Sequence, residues 1–553
     1  MSELNVNNDG SSNWHLDAVF YQVYVRGFKD SSRDGNGDLR GLIEKLDYIQ
    51  NLGVSCLWLM PIFQSPLRDD GYDVSDFLSI DPSIGSLADF QQLTEAAHHR
   101  DLRVITDLVI SHTSDQHHWF EQARQGPESP YFHYYVWSDR DDRYPEARVI
   151  FSDTEHSNWA WDHRSRRYYW HRFFSHQPDL NYDHPPVQEA MLDVMRFWLD
   201  LGIDGFRVDA VPYLFEREGT NCENLPETHA FCRRMRQLID EEYPGRILLA
   251  EANQMPDDLV PYFGNGDGHE FHMAFNFPLM PRLFLALRRE DNRPLIECIE
   301  SLPPIPPDCQ WATFLRNHDE LTLEMVTDLD REFLYSEYAR DPRMKINLGI
   351  RRRLTPLVDH DRRRLELLFS LLLSLPGAPV IYYGDEIGMG DNIYLGDRNG
   401  VRTPMHWSDD RNAGFSAADP SMLYQPVITD PLDHYQAVNV EAQLRSPASL
   451  LHWIRHQLRQ RRSQPVFSRG DIRFLKVSNR STVAFTRSYR GTTALLVHNL
   501  AAIVRPVYLD LAAHVGCRPI HFSGNHGFPL IGADPYFLSL APYESLWFLL
   551  EAA

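Results

Sequence analysis

GFRVDAVPYLFEREGTNCENLPETH, residues 205–229, opens on an apolar, β-branched run that ends at Asp209. Tyr213, Glu216 and Glu218 follow within a few residues, and then an Asn-rich acidic turn. A buried charge costs several kcal/mol unless it is paired, hydrogen-bonded or used. A strand driven into a cluster of carboxylates therefore has chemistry at its end.

Working outward, the same kind of run recurs: AVFYQVYVRGF (18–28), VSCLWLMPIF (54–63), LRVITDLVI (102–110), RILLAEA (246–252), HMAFNF (272–277), WATFLRNHD (311–319) and APVIYYGDEI (378–387). Between them lie stretches such as LIEKLDYIQNLG and VQEAMLDVMRFWLDLG, with apolar residues at helical spacing and a terminal Gly. Eight strand-then-helix units predict a (β/α)8 barrel of the α/β class. It is expected over 1–111 and 179–464, interrupted after the third strand by an inserted domain at 112–178. A polar insert at 320–362 reads as lid-like. It runs into RRRLTPLVDHDRRR (351–364), a basic run expected to form a solvated face. From 465 to 553 the pattern turns to alternating strands, TVAFTRSY, TALLVHNL and ESLWFLL, which predict a C-terminal all-β sandwich domain.

The net charge is -23, with 77 acids against 54 Lys and Arg. That argues against nucleic acid or an anionic membrane as partner, both of which want a basic footprint. The six cysteines show neither paired nor metal-type spacing and are expected to be free thiols. The N-terminal residues carry no secretory pattern, so a cytoplasmic protein is expected, as a monomer or a homo-oligomer.

The active site of such a barrel lies at the C-terminal strand ends. Those ends supply Asp107 and His112, Arg207 and Asp209, Glu251, then His318 and Asp319. Several carboxylates on successive strands repel one another and have no structural purpose. A carboxylate pair is the machinery of glycosidic bond cleavage, at a separation of roughly 5–5.5 Å when configuration is retained. Arg207, two residues before Asp209, shares its strand face and is expected to keep it ionised. In DSSRDGNGD, oxygen donors at Asp30, Ser32, Asp34 and Asp38, with the Asn36 backbone carbonyl, suit a structural Ca2+. Trp159, Trp161, Tyr168, Trp170 and Phe174 are expected mainly in the core of the inserted domain, with Phe173 stacking on a sugar; His171 and His176 read as structural.

DLVISH (107–112), GFRVDAV (205–211), AEA (250–252) and RNHDE (316–320) resemble the four signature segments of the α-amylase superfamily, and QPDLN (177–181) is similar to its fifth. The resemblance covers the chain from about 15 to its end. It implies Asp209 as nucleophile, Glu251 as general acid/base and Asp319 as transition-state stabiliser. Asp69, Tyr72, His112, Arg207, His318 and Arg402 match sugar-binding positions. It also implies a second Ca2+ site from the side chains of Asp179 and Glu216 and the carbonyls of Tyr213 and Leu214, with Ser111 where an Asn is usual. The 205–229 stretch, LLAEANQ and RNHDELTLEMVTD resemble the branch that interconverts maltose and trehalose, with glucose as a minor product. Hydrolysis by an α-glucosidase of the same superfamily is the alternative.

Overall fold

A computed structural model describes residues 13–522 and 527–552; the first twelve residues of the N-terminal reading lie outside it. Eight parallel strands close a barrel: β1 (Phe20–Val23), β2 (Cys56–Leu59), β3 (Arg103–Val109), β4 (Gly205–Asp209), β5 (Ile247–Ala250), β6 (Met273–Phe275), β7 (Gln310–Phe314) and β8 (Ala378–Tyr382). Seven of the eight are buried at every position, and β3 at all but its first. Strands covered on both faces carry apolar runs rather than alternation, which is why the eight runs stood out. The weakest of them, 272–277, yields a strand of three residues.

Register aligns the strand tips. Asp107 lies beside Arg207, Val109 beside Asp209, and Val208 beside Ala250, so the acids after β3, β4 and β5 reach one level. β4 starts at a glycine for a steric reason. At Gly205 (φ 151°) a Cβ would sit 2.2 Å from the Ile247 carbonyl oxygen.

The segment after β3 holds a small antiparallel sheet of Trp137–Ser138, Arg167–Trp170 and Trp159–Asp162. Trp159 and Trp170 pack with Tyr144 and Val136 in a separate apolar cluster. Trp161, expected in that core, is instead 43% exposed. His171 is buried against the Phe173 carbonyl, 3.0 Å away.

The 320–362 stretch contains a helix, Asp328–Tyr338, and a three-stranded ribbon of Leu321–Thr322, Gly349–Ile350 and Lys345–Ile346. The solvated face expected of 351–364 needs correction. Arg353 is fully buried, donates to the Tyr383 carbonyl at 2.7 Å and lies over the Tyr382 and Tyr383 rings. Arg352 pairs with buried Asp391 at 2.8 Å. Only Arg362 to Arg364 behave as predicted, with partly exposed pairs to Glu366, Asp361 and Asp359.

Beyond the barrel, β9 (Asp471–Phe474), β10 (Thr482–Tyr489), β11 (Thr492–Asn499), β12 (Arg505–Leu509), β13 (Cys517–His521), β14 (Tyr536–Leu540) and β15 (Ser545–Ala552) form a five-stranded and a two-stranded sheet. Val497, Val507, Leu509, Leu538 and Phe548 fill the space between them. The other face packs on the barrel helix Arg362–Ser374. Trp547 Nε1 donates to Ser370 Oγ at 2.7 Å. Arg487 and Arg461, both buried, donate to the Ser374, Leu373 and Gly377 carbonyls at 2.5–2.7 Å. All six cysteines are free, and no described helix is long and apolar enough to cross a membrane.

Candidate active site

A cavity opens at the C-terminal strand ends, where a barrel of this kind builds its active site. Asp209, Glu251 and Asp319 line it together with Asp69, Tyr72, His112 and Phe173. Three of the residues matched to sugar binding, Arg207, His318 and Arg402, do not line it and stand behind its acids.

Arg207 organises the centre. Its guanidinium meets Asp107 and Asp209 at 2.5 Å each and also pairs with Glu251. Trp58 Nε1 fixes Asp107 from the other side at 2.8 Å. After Asp209 the chain turns sharply: Ala210 adopts φ 52°, ψ 35°, a left-handed conformation that costs a non-glycine residue roughly 1–2 kcal/mol. The turn aims the Ala210 N–H at Glu251 Oε2, 3.1 Å away. Backbone strain here holds the two acids in fixed relation.

The electrostatics divide the acids by role. Burial pushes Asp209 up to about 6, against the pull of Arg207. Burial pushes Glu251 further, to about 8, with Asp209 and Asp319 adding to the rise. At neutral pH Asp209 is thus a carboxylate and Glu251 keeps its proton, hydrogen-bonding Asp209. Burial also works against charge on Asp319, yet His318 at 3.0 Å and the guanidiniums of Arg398 and Arg402 at 2.9 and 3.0 Å hold it well below the usual carboxylate range. His318 itself is pushed down to about 4 by burial, so it acts as a neutral hydrogen-bond partner, and stacks on Tyr72 at 5.4 Å. Asp319 is a fixed anion beside one ionised and one protonated carboxyl group.

Several lining residues escaped the sequence reading. Arg398 bridges Asp69 (2.7 Å) and Asp319 and lies over the Phe151 ring at 5.3 Å. Its position four residues before Arg402 in DRNGVR was the available signal. Gln177, quoted within QPDLN but given no role, donates to Asp69 at 2.9 Å. Glu320, at the end of RNHDE, lines the cavity and is pushed by burial up to about 7. The roof joins segments far apart in the chain. Arg148 of the inserted domain pairs with Glu324 at 2.8 Å and Glu223 at 2.9 Å. Asn253 donates to Glu324 at 3.1 Å, and the Asn347 N–H to Asp153 at 2.7 Å.

The two expected cation sites differ. Among the described residues no three or more His, Cys, Asp or Glu side chains gather to hold a metal. In the 30–38 loop Asp30 accepts from the Arg33 and Gly35 N–H groups, and Asp38 from those of Ser31, Ser32 and Gly41. Asp34 and Ser32 are exposed, and the Asn36 side chain accepts from Arg26. That loop is satisfied without an ion. Asp179 and Glu216 are a better fit: both are buried, each is raised well above the carboxylate range with burial the main cause, and Asp179 Oδ2 has no hydrogen-bond partner. Asp179 adds to the rise at Glu216. Ser111 Oγ turns instead to His112 Nδ1, 2.8 Å away.

Comparison with known proteins places this geometry. Residues 22–339 and 350–470 match the alpha amylase catalytic domain. The chain belongs to the α-amylase family. Residues 472–547 match the maltogenic amylase C-terminal domain. Within the family, a trehalose synthase/amylase of Mycolicibacterium smegmatis is 59% identical over 98% of this chain and 93% of its own. A trehalose synthase of Pimelobacter is 56% identical, covering 97% and 96%. The crystal structure of a trehalulose synthase from Pseudomonas mesoacidophila superposes with a TM-score of 0.78 at 27% identity, covering 97% of this chain and 99% of that one.

Proposed function

We propose that the protein interconverts maltose and trehalose by moving a glucosyl unit within a closed pocket, with minor hydrolysis to glucose. Asp209 attacks the anomeric carbon of the non-reducing glucose, and the glycosidic C–O bond breaks as Glu251 passes its proton to the departing oxygen. The glucosyl–Asp209 ester holds one sugar while the freed glucose turns in the cavity. Its anomeric hydroxyl then attacks the same carbon and gives its proton to Glu251; the ester bond breaks, Asp209 leaves as a carboxylate and the 1,1-bond is formed. Two displacements retain configuration. Asp319, anionic throughout, favours the positive charge that grows on the ring.

The observation that carries this reading is the roof. A hydrolase needs water at the ester, whereas an isomerase must exclude it. Arg148 reaches Glu324 across the mouth and Asn347 meets Asp153, so the 320–362 segment and the inserted domain meet over the pocket. A glucose held beside the ester has an effective concentration far above that of free glucose. Identity of 53–59% to proteins named trehalose synthase supports the choice of sugars.

A structural Ca2+ belongs to the proposal. Asp179 and Glu216, with the carbonyls of Tyr213 and Leu214, are the better-supported set, and the 30–38 loop is the second. Neither ion would take part in the reaction. The deciding experiment is maltose incubated with isotopically labelled free glucose. Unlabelled trehalose during initial turnover is expected; heavy labelling would mean that glucose leaves and returns, and glucose as sole product would make the protein an α-glucosidase.

A further inference from the structure

A second cavity adjoins the first and shares with it only Phe151. Its aromatic side is Phe174 and His176, with rings nearly parallel (13°) at 5.1 Å, and Phe174 in turn meets Phe151 at 4.6 Å. Charged groups of both signs, Arg68, Lys345 and Arg351 against Asp153 and Asp397, line the rest together with Asn347. His176 Nε2 is buried and has no hydrogen-bond partner. Burial, with Arg68 nearby, pushes this imidazole down to about 4, so it is neutral.

An aromatic wall facing mixed donors and acceptors matches the two sides of a pyranose. Its C–H face packs on rings, and its vicinal hydroxyls each give and take a hydrogen bond. Arg68, Lys345 and Arg351 stand against Asp153 and Asp397 in this lining, a nearly balanced set that suits a neutral polar ligand, whereas a purely apolar one would cover these groups and offer them no hydrogen bond. We propose that this second cavity binds a neutral hexopyranoside, maltose or glucose, outside the reaction chamber. The proposal rests on the reading of the protein as a glucoside enzyme.

Its placement gives the site a consequence. Asp397 faces the second cavity and its neighbour Arg398 faces the first, and the two pair at 3.2 Å. The Asn347–Asp153 hydrogen bond that joins the roof segments is also part of the second cavity's lining. A sugar bound there touches the partition and the roof together, and so favours the closed arrangement.

The test uses the full-length protein with Asp209 blocked by a fluorinated glucosyl donor and maltose as titrant, followed by calorimetry. One residual site is expected, weakened about tenfold or more by Phe174→Ala or by His176→Ala, and unchanged by Phe277→Ala in the first cavity. Complete labelling of Asp209 in each variant shows that the fold and the chamber are intact. Absence of residual binding, or binding that Phe277→Ala abolishes and Phe174→Ala spares, overturns the proposal. If Asp209 takes no label, the nucleophile assignment falls, and the same comparison of Phe174→Ala with Phe277→Ala on unblocked protein still decides the second cavity.

Discussion

Replacing Glu324 with Gln removes the charge that Arg148 reaches across the mouth of the pocket, while keeping the size of the side chain. The pair is close, at 2.8 Å, but Arg148 is 39% exposed and Glu324 16%, so solvent screens it. Exposed pairs contribute roughly 0.2–1 kcal/mol. Asn253 can still donate to the new amide oxygen, and Arg148 keeps Glu223 at 2.9 Å. The loss is therefore about 1 kcal/mol of closure free energy, or about a fivefold rise in the open fraction. Because water competes only when the roof is open, the ratio of glucose to trehalose formed from maltose should rise about fivefold. Total turnover should change much less, since none of the reacting groups is touched. The assay is chromatographic quantification of both sugars at initial rate. High salt should move the wild type in the same direction, through screening of a partly exposed pair. A variant that turns over more slowly at an unchanged product ratio would refute the idea that this ion pair keeps water out.

Asp209→Asn should lose several orders of magnitude in rate with the fold intact, and a fluorinated glucosyl donor should label Asp209 in the wild type; label on another carboxylate would remove it as nucleophile. The pH profile of kcat/KM should be a bell. Activity rises as Asp209 ionises near pH 6 and falls as Glu251 loses its proton near pH 8, and a flat profile across that range would contradict the assignment of roles. A chelator should lower the melting temperature, because an ion that binds only the folded state stabilises it. Glu216→Gln should abolish that response; abolition by Asp34→Ala instead would move the ion to the 30–38 loop.

The barrel was legible because strands buried on both faces leave unbroken apolar runs, and Asp209, Glu251 and Asp319 because each ends or closely follows one. Tertiary partners were not. Arg352 and Arg353 look like part of a solvated cluster until the fold brings Asp391, Tyr382 and Tyr383 against them. Arg148 and Glu324 are 176 residues apart, and neither has a local pattern that points to the other. Trp161 followed its aromatic neighbours into a predicted core, but burial along its strand does not alternate: Trp159 and Asp162 are buried at the two ends and Trp161 between them is exposed.

The β-sandwich has a part in the barrel that its position at the end of the chain conceals. Arg487 and Trp547 reach from it into the end of the helix Arg362–Ser374, where a helix normally leaves carbonyls without partners. That helix connects the roof segment to β8. A protein cut after residue 470 would expose Ser370 and the Ser374 carbonyl, and would loosen the anchor of the stretch proposed to close the pocket. Grafting the tail of a relative would preserve the apolar contacts more readily than these donor–acceptor pairs. Chimeras exchanged at this boundary should therefore vary in product ratio before they vary in the chemistry of bond cleavage.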